Sequence, residues 1–180
     1  MRALHLGEQV LYSGLLHTAR DAAHKYLAGK TPVLPAGLSF AGGALYHCGP
    51  VMVKRPDGSW EVTAAGPTTS AREEAYEAEV IRRYGIRAII GKGGMGEATL
   101  RACQECGCVY LSAVGGAAQV LAQAVKAVEA VYFLEEFGSP EAIWQLRVQD
   151  LPAIVTMDAS GNNLHAQVER ESRKRLEATY

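Results

Sequence analysis

The sequence predicts an α/β domain in which a parallel sheet flanked by helices is joined to a second, mostly antiparallel β region. Two observations predict this class. Several segments repeat apolar residues with a helical period, and short apolar runs typical of strands stand between them. A length of 180 residues, with 48% hydrophobic and 21% charged residues, fits one globular domain. We therefore expect a single domain over 1–180, with a charged C-terminal tail at about 169–180.

The first half of the chain is predicted to pass from a strand and a helix into a β hairpin. The predicted elements are, in order, a strand at 8–14, a helix at 18–30, strands at 43–48, 51–54 and 60–65, and a helix from 70 to 85. The sequence Arg-Pro-Asp-Gly at 55–58 is typical of the turn in a hairpin. Gly85 follows two arginines, which is a typical end for a helix.

The second half is predicted to alternate strands and helices before it returns to strands. The predicted elements are a strand at 87–90, a helix that the segment 91–96 opens and that ends at about 106, and a strand at 109–113. A helix at 119–137, strands at 144–148 and 153–157, and a polar turn at 158–163 follow. A strand, a crossover helix and another strand favour parallel pairing. The order therefore predicts parallel strands in the middle of the chain and antiparallel strands near its end.

Charge and hydropathy exclude several classes of partner. The formal net charge is -1, which gives no overall attraction to nucleic acid or to an anionic membrane. No run of about 18 apolar residues occurs, and the N-terminus has no apolar signal segment, so we expect neither a membrane span nor secretion. We expect a cytoplasmic protein. Four cysteines are too few for a disulfide framework.

Two similar phrases place an arginine at a predicted helix start. The segments 18–21 and 70–73 both have a hydroxyl residue followed three positions later by an acid, which predicts a capping box. Each box puts an arginine, Arg20 or Arg72, in the first helical turn. A cation is mildly unfavourable there because the free backbone N–H groups are already positive. A bound carboxylate or phosphate would explain the arrangement.

A third cation, Lys92, lies in the glycine-rich segment 91–96 between a predicted strand and a predicted helix. Ligands of α/β sheets bind at such junctions, at the carboxyl ends of the strands. Solvent exposure alone would explain any one of these cations. Three repeats of one arrangement instead predict a shared site for a small molecule with more than one anionic group.

Two other motifs offer alternative functions. Gly91, Gly93 and Gly96 match a dinucleotide fingerprint, which leaves a nucleotide- or phosphate-binding module open, but no acid follows about 20 residues later. A Walker loop is excluded because Gly93 stands where Ser or Thr is needed. The cysteines at 103, 106 and 108 leave a zinc or redox site open. We favour buried thiols, because no second cysteine pair or histidine lies near them.

Three residues beside the predicted anion site are candidates for proton transfer or binding. His24 lies one helical turn after Arg20, and an imidazole titrates near neutral pH. Thr68 and Thr69 precede the second predicted cap, and their hydroxyl groups can stabilise a turn or contact a substrate beside Arg72.

Taken together, these segments resemble a known family. TARDAAHK (18–25), GPTTSAR (66–72), IGKGGM (90–95) and IVTMDASGNNL (154–164) are similar to the beta subunit of class I, iron-sulfur-dependent fumarate hydratase and of L(+)-tartrate dehydratase. The resemblance covers nearly the whole chain. It implies the swivelling β/β/α domain that forms the C-terminal part of single-chain class I fumarases. One departure is the pair Glu73 and Glu74, where many relatives have Met-Asp.

The resemblance also implies roles for individual residues. Arg20, Arg72 and Lys92 would hold the substrate carboxylates, Thr68 is a candidate catalytic base and His24 a further catalytic candidate. We also predict that Thr69, Gly91 and Gly93 bind substrate, and that this chain binds no metal itself.

The implied activity is the reversible hydration of fumarate to L-malate, with dehydration of L(+)-tartrate to oxaloacetate as the alternative. A separate alpha subunit would hold a four-iron four-sulfur cluster whose open iron acts as a Lewis acid on the leaving hydroxyl. We therefore expect a hetero-oligomer of the alpha2beta2 type, inactive without the alpha subunit, that binds a C4 dicarboxylate and neither nucleic acid nor membrane.

Overall fold

The computed structural model describes residues 1–179 and has the predicted α/β architecture. Its strands are β1 (Gln9–Ala19), β2 (Ala44–His47), β3 (Val51–Lys54), β4 (Trp60–Ala64), β5 (Ala88–Gly91), β6 (Val109–Ser112), β7 (Val125–Tyr132) and β8 (Ile143–Met157). Its helices are α1 (Asp21–Leu27), α2 (Glu74–Tyr84), α3 (Glu97–Cys106), α4 (Ala118–Gln123), α5 (Leu134–Phe137) and α6 (Leu164–Glu177).

The main sheet has the strand order β1-β2-β5-β6-β8-β7. β1, β2, β5 and β6 are parallel neighbours, whereas β8 runs antiparallel to β6, β7 and β1. Because β8 pairs with both β6 and β1, the pairings from β1 round to β8 close a ring. The strands β3 and β4 form a separate antiparallel sheet, which confirms the predicted hairpin.

The two faces of the parallel strands pack into two different cores. Ala44, Tyr46 and Ile90 belong to the core that also contains Trp144 and packs against the hairpin. The alternate residues of the same strands face the other core, which includes residues of α1, α2 and α3. Since alternate side chains of a strand share a face, the last residues of β2 and β5 point toward these helices. This layer between sheet and helices contains the polar cluster described below.

The predicted helix at 119–137 is wrong. Two short helices, α4 (118–123) and α5 (134–137), flank the middle of this segment, where Val125–Tyr132 forms β7 and pairs along β8. The β-branched residues Val125, Val128 and Val131 suit a strand, and pairing with β8 outweighs the helical period of the segment. The predicted strands at 144–148 and 153–157 are one strand, β8, which continues through an irregularity where Asp150 has φ 56°.

Neither predicted capping box forms. Thr18 lies in β1, where its hydroxyl accepts a hydrogen bond from Trp144 N at 3.0 Å, and α1 begins three residues later with Arg20 as its N-cap. Ser70 begins a short 3-10 helix (Ser70–Glu73) that leads into α2. The Ser70 hydroxyl does not cap this helix, because it forms hydrogen bonds with His47 and Tyr110. Tertiary hydrogen bonds therefore use both hydroxyl groups that the local pattern assigned to caps.

The end of the chain is helical where the sequence predicts a charged tail. α6 runs from Leu164 to Glu177, and the side chain of its N-cap residue Asn163 accepts a hydrogen bond from Ala166 N at 3.2 Å. Within 1–179, we find no helix with both the length and the apolar character that a membrane span needs.

Candidate functional site

The carboxyl ends of the parallel strands bring the predicted cations to one edge of the sheet. β1 ends directly before Arg20, β2 ends at His47, and β5 ends directly before Lys92. Because these strands are parallel neighbours, the residues that follow them emerge on the same side. The edge is therefore where the fold places candidate ligand-binding groups.

The Arg20 side chain lies over the backbone that follows β2. A Cβ atom on Gly49 would come within 2.7 Å of the Arg20 Cδ, so a glycine is needed for this close approach. The Arg20 Nε lies 3.4 Å from a Glu141 carboxylate oxygen, and the arginine side chain is 24% exposed. Arg20 thus has both a partner within the protein and a solvent-facing part.

Arg72 reaches the same edge from the 3-10 helix. Its guanidinium donates to the carboxylate of Asp21, the first residue of α1, and its side chain is 53% exposed. Asp21 is the sequence neighbour of Arg20. This ion pair therefore places the Arg72 guanidinium at the start of α1, whose N-cap residue is Arg20.

Thr68 and Thr69 connect the ends of β2 and β5. The Thr68 N–H donates to the His47 carbonyl at 2.7 Å, and Thr69 pairs with Lys92 in an isolated parallel bridge. Among residues 1–179, the Lys92 ammonium has no carboxylate within ion-pair distance. Gly93 has φ 81°, a conformation that favours glycine.

A fully buried polar cluster lies directly below this edge. His24 Nε2 is 2.8 Å from Glu77 Oε2, and His47 Nε2 is 3.0 Å from the same oxygen. His24 Nδ1 is 2.9 Å from the backbone carbonyl of Arg20. All three side chains are completely buried. His24 contacts the backbone of Arg20 rather than its side chain, and the imidazole faces inward.

The cluster continues to the 3-10 helix and to β6. His47 Nδ1 is 2.8 Å from Ser70 Oγ, which accepts a hydrogen bond from the Tyr110 hydroxyl at 2.8 Å. Ser70 Oγ would be only 1.9 Å from a Cβ atom on Gly91. Gly91 is itself buried, and its carbonyl accepts from Ala113 N at 2.8 Å. The glycine therefore makes room for Ser70.

The hydrogen-bond partners determine the protonation of both histidines. The Ser70 hydroxyl accepts from Tyr110, so its own proton goes to His47 Nδ1, and His47 Nε2–H donates to Glu77. His47 is therefore neutral. Both ring nitrogens of His24 face acceptors, namely a carbonyl and a carboxylate, so His24 is an imidazolium.

Electrostatics agrees with this assignment. Burial lowers the pKa of His24, but the carboxylates of Glu77 and Glu73 outweigh burial and raise it above its usual value. For His47, burial and the charge of His24 outweigh Glu77 and lower the pKa. Burial raises the pKa of Glu77, but the two imidazoles bring it down to about 2.

Glu73 is the second buried carboxyl group of the cluster. Its Oε2 lies 3.5 Å from His24 Nδ1, and neither of its oxygens has a hydrogen-bond partner. Burial raises the pKa of Glu73 to about 7, since the charge of His24 only partly offsets it. Glu73 is therefore largely neutral in mildly acidic solution.

We expect Glu73→Gln to stabilise the protein at high pH but not at low pH. A carboxyl group whose folded pKa is about 7, above its usual 4.5, contributes stability that is full below pH 4.5 and lost as pH rises through 7. The loss is at most about 3 kcal/mol, and glutamine avoids it because it does not ionise. Thermal unfolding should give a melting temperature several degrees above wild type at pH 8 and unchanged at pH 4.5. The exposed variant Glu79→Gln is the control, and equal shifts at both pH values would contradict the expectation.

Glu74 occupies the helix start that a nucleotide phosphate would use. Its carboxylate accepts from Gly96 N at 2.7 Å, from Ala98 N at 3.2 Å and from Thr99 N at 3.3 Å, and from the Thr99 hydroxyl at 2.8 Å. These groups form the N-terminus of α3. The Glu74 carboxylate thus occupies the backbone N–H groups that a bound phosphate would need. This disfavours the phosphate-binding alternative.

The four cysteines are free thiols in hydrophobic surroundings. Cys48 is buried in one core, whereas Cys103 and Cys108 are buried in the other with Cys106 packed against it. Burial raises the pKa of Cys48 to about 12 and raises that of Cys108. Among residues 1–179, the three side chains whose ligand atoms lie close enough for a metal are His24, His47 and Glu77, so the cysteines do not gather into a set of three ligands.

Sequence reasoning missed His47, Glu73, Glu77 and Tyr110. The signal that could have found them is positional. Glu73 and Glu77 are one helical turn apart, as are Arg20 and His24, and His47 ends a strand. Only the packing of α1 and α2 against the sheet brings these residues together.

Comparison with known proteins identifies relatives over nearly the whole chain. The sequence model of the family described as "Fumarase C-terminus" matches residues 1–168. The chain is 52% identical over 176 residues to the "Putative fumarate hydratase class I" of Geobacillus stearothermophilus. This match covers 98% of the chain but 33% of that protein, so the chain spans about a third of its length.

Two relatives have a length similar to that of this chain. The "Putative L(+)-tartrate dehydratase subunit beta" of Methanocaldococcus jannaschii is 42% identical over 180 residues, which is 98% of this chain and 91% of that protein. The "L(+)-tartrate dehydratase subunit beta" of Escherichia coli is 36% identical over 168 residues, which is 93% of this chain and 82% of that protein. The chain therefore belongs to the Fumarase C-terminus family.

Proposed function

We propose that the chain is the beta subunit of a hydro-lyase that catalyses reversible hydration of fumarate to L-malate. The observation that carries this proposal is the placement of Arg20, Arg72 and Lys92 at one edge of the parallel sheet, on elements joined by direct contacts. Three cations at one edge suit a substrate with two carboxylates. The names of the relatives, which include a fumarate hydratase, support the same reaction class.

The proposed roles follow from the charge that develops during elimination. Removal of a C–H proton next to a carboxylate builds negative charge on that group, and fixed cations lower the barrier by stabilising it. Arg20, Arg72 and Lys92 would bind the two carboxylates. Thr68, held at the end of β2 by its backbone, would exchange the proton.

Of the remaining predicted site residues, two are exposed at the sheet edge and two are buried beneath it. Thr69 and Gly93 are exposed beside Lys92 and would line the substrate. Gly91 and His24 are buried, so we propose that they act through the residues they hold in place.

We also propose a partner for this chain. Two relatives are named as beta subunits, which implies a second subunit in those proteins. The alpha subunit proposed here would hold the four-iron four-sulfur cluster, which supplies Lewis acidity for the leaving hydroxyl. An alpha2beta2 assembly and a cytoplasmic location stay predictions.

Dehydration of L(+)-tartrate is the second candidate function. It rests on the two relatives named as tartrate dehydratase subunits, at 42% and 36% identity. Assays of the assembled enzyme with L-malate and L(+)-tartrate will discriminate the two. A kcat/KM at least about 10-fold higher for malate would support the fumarate assignment, because one unmatched hydroxyl changes discrimination by about that factor.

We expect the purified chain to have no hydratase turnover by itself. Fumarate hydration should appear only when the chain is combined with its alpha subunit under anaerobic conditions, as measured by absorbance of fumarate. The alpha subunit alone is the control. Turnover by the isolated chain, after metal analysis has excluded a co-purified partner, would contradict the proposal.

A further inference from the structure

We propose that the buried chain of Tyr110, Ser70, His47, Glu77 and His24 positions the two sides of the dicarboxylate site relative to each other. We call these five residues the buried relay. This inference rests on the proposed function, because it assigns positioning residues to the same site. The relay joins the backbone of Arg20 at one end to the segment before Arg72 at the other.

Each end of the relay is attached to a group next to the site. His24 Nδ1–H donates to the Arg20 carbonyl at 2.9 Å, which fixes the first residue after β1. At the other end, Ser70 Oγ binds His47, while the Ser70 N–H donates to the Lys92 carbonyl at 3.0 Å. The relay thus connects the peptide groups that hold all three cations.

Burial makes this connection rigid. His24, His47, Ser70, Glu77 and Tyr110 are 0% exposed. Hydrogen bonds in such surroundings are strong because no water competes for them, and every donor of the relay has an acceptor. The charges balance, since the His24 imidazolium faces the Glu77 carboxylate and the other members are neutral. A misplacement of the cations would therefore require breaking buried hydrogen bonds whose donors would find no water to replace the lost acceptors.

The relay explains why a glycine ends β5. Ser70 Oγ occupies the space that a Gly91 side chain would fill, at 1.9 Å from the Cβ position, and Tyr110 Oη and His47 Nδ1 lie at 3.0 and 3.2 Å. Three members of the relay thus surround one Cα atom. They fix the distance between the 3-10 helix and the sheet.

Three members of the relay have the composition of a metal site, but the distances between them favour hydrogen bonds. His24, His47 and Glu77 present ligand atoms within 4.8 Å of one another. In a tetrahedral zinc site, ligand atoms lie about 3.3 Å apart, as follows from metal-ligand bonds of about 2.0 Å. The nitrogen-oxygen separations of 2.8 and 3.0 Å are shorter and match charge-assisted hydrogen bonds.

The decisive test uses ligands that need one cation or two. In the assembled enzyme, competition assays will measure the inhibition constants of succinate, a dicarboxylate, and butyrate, a monocarboxylate. For Glu77→Gln, which removes the charge of the relay, we expect succinate to bind about 10-fold or more weakly while butyrate changes less than about 2-fold, because only the dicarboxylate depends on the spacing of the cations. A merely structural residue would affect both ligands equally.

Two further variants keep the test decisive if Glu77→Gln folds poorly. Ser70→Ala cuts the relay at a neutral position and should show the same selective loss of succinate. Glu79→Gln, an exposed residue of α2 that pairs with Arg83, is the matched control and should leave both inhibition constants unchanged. Equal behaviour of Ser70→Ala and Glu79→Gln would overturn the inference.

A second readout does not depend on activity. Nitrogen NMR of the histidines in the wild-type chain at pH 6.5 should show His24 mostly protonated on both nitrogens and His47 mostly neutral with its proton on Nε2. A metal-bound imidazole, or a neutral His24, would overturn the relay. If the wild-type enzyme does not bind succinate more tightly than butyrate, the proposed function fails, whereas the NMR result still reports on the relay.

Discussion

Gly91→Ala will destabilise the protein by about 3 kcal/mol in total, of which roughly 1 to 2 kcal/mol is overpacking, because a methyl group at this position meets Ser70 Oγ at 1.9 Å. The backbone of Gly91 does not have the left-handed conformation that would disfavour alanine, so the cost arises from space alone. The Ser70 hydroxyl cannot simply rotate away, since it binds both His47 and Tyr110. Its displacement leaves buried polar atoms without partners, which costs a further 1 to 3 kcal/mol, roughly.

Thermal unfolding of the isolated chain measures this effect without any assumption about the reaction. A loss of about 3 kcal/mol lowers the melting temperature by about 6 to 12 °C in a chain of this size. Gly115→Ala is the control, because the atom nearest to its new methyl group, Lys92 Cδ, would lie at an ordinary contact distance of 3.5 Å. The double variant Gly91→Ala with Ser70→Gly should recover part of the loss. Unchanged stability of Gly91→Ala would show that Ser70 does not pack as described.

The positions of the cations were predictable from local patterns, although part of the reasoning behind them was wrong. The sequence predicts Arg20 and Arg72 at helix starts through capping boxes, but neither box forms. Arg20 still lies at the sheet edge because β1 ends directly before it, whereas Arg72 reaches that edge from the 3-10 helix through its ion pair with Asp21. Local periodicity located the strand-helix junctions, which depend on neighbouring residues. It could not show that Thr18 and Ser70 have tertiary partners.

The polar cluster could not be predicted because its contacts join distant parts of the chain. His47 and Glu77 are 30 positions apart and meet only because α2 packs on the sheet beside β2. The same limitation explains the error at 119–137, where pairing of Val125–Tyr132 with β8 decides the structure. In both places a long-range contact outweighs the local pattern. The one-turn spacing of Glu73 and Glu77 puts both carboxyl groups on one side of the helical segment but does not show which strand that side meets.

Lys92→Met will reduce kcat/KM for fumarate or malate by about 10²- to 10³-fold in the assembled enzyme, the usual effect of removing one group that stabilises developing negative charge. Methionine has a similar length but no charge. Lys92 gives a cleaner test than the arginines. Arg20 and Arg72 pair with Glu141 and Asp21, so their removal would leave a carboxylate without its partner.

The loss in Lys92→Met should come without a loss of stability, because the backbone contact of Lys92 with Ser70 does not involve its side chain. Lys126→Met removes an equal charge from an exposed position of β7 and should keep wild-type kcat/KM. A change of less than about 3-fold in Lys92→Met, with the melting temperature unchanged, would remove Lys92 from the site. The remaining pair of arginines would then have to bind both carboxylates, and the end of β5 would lose its assigned role in binding.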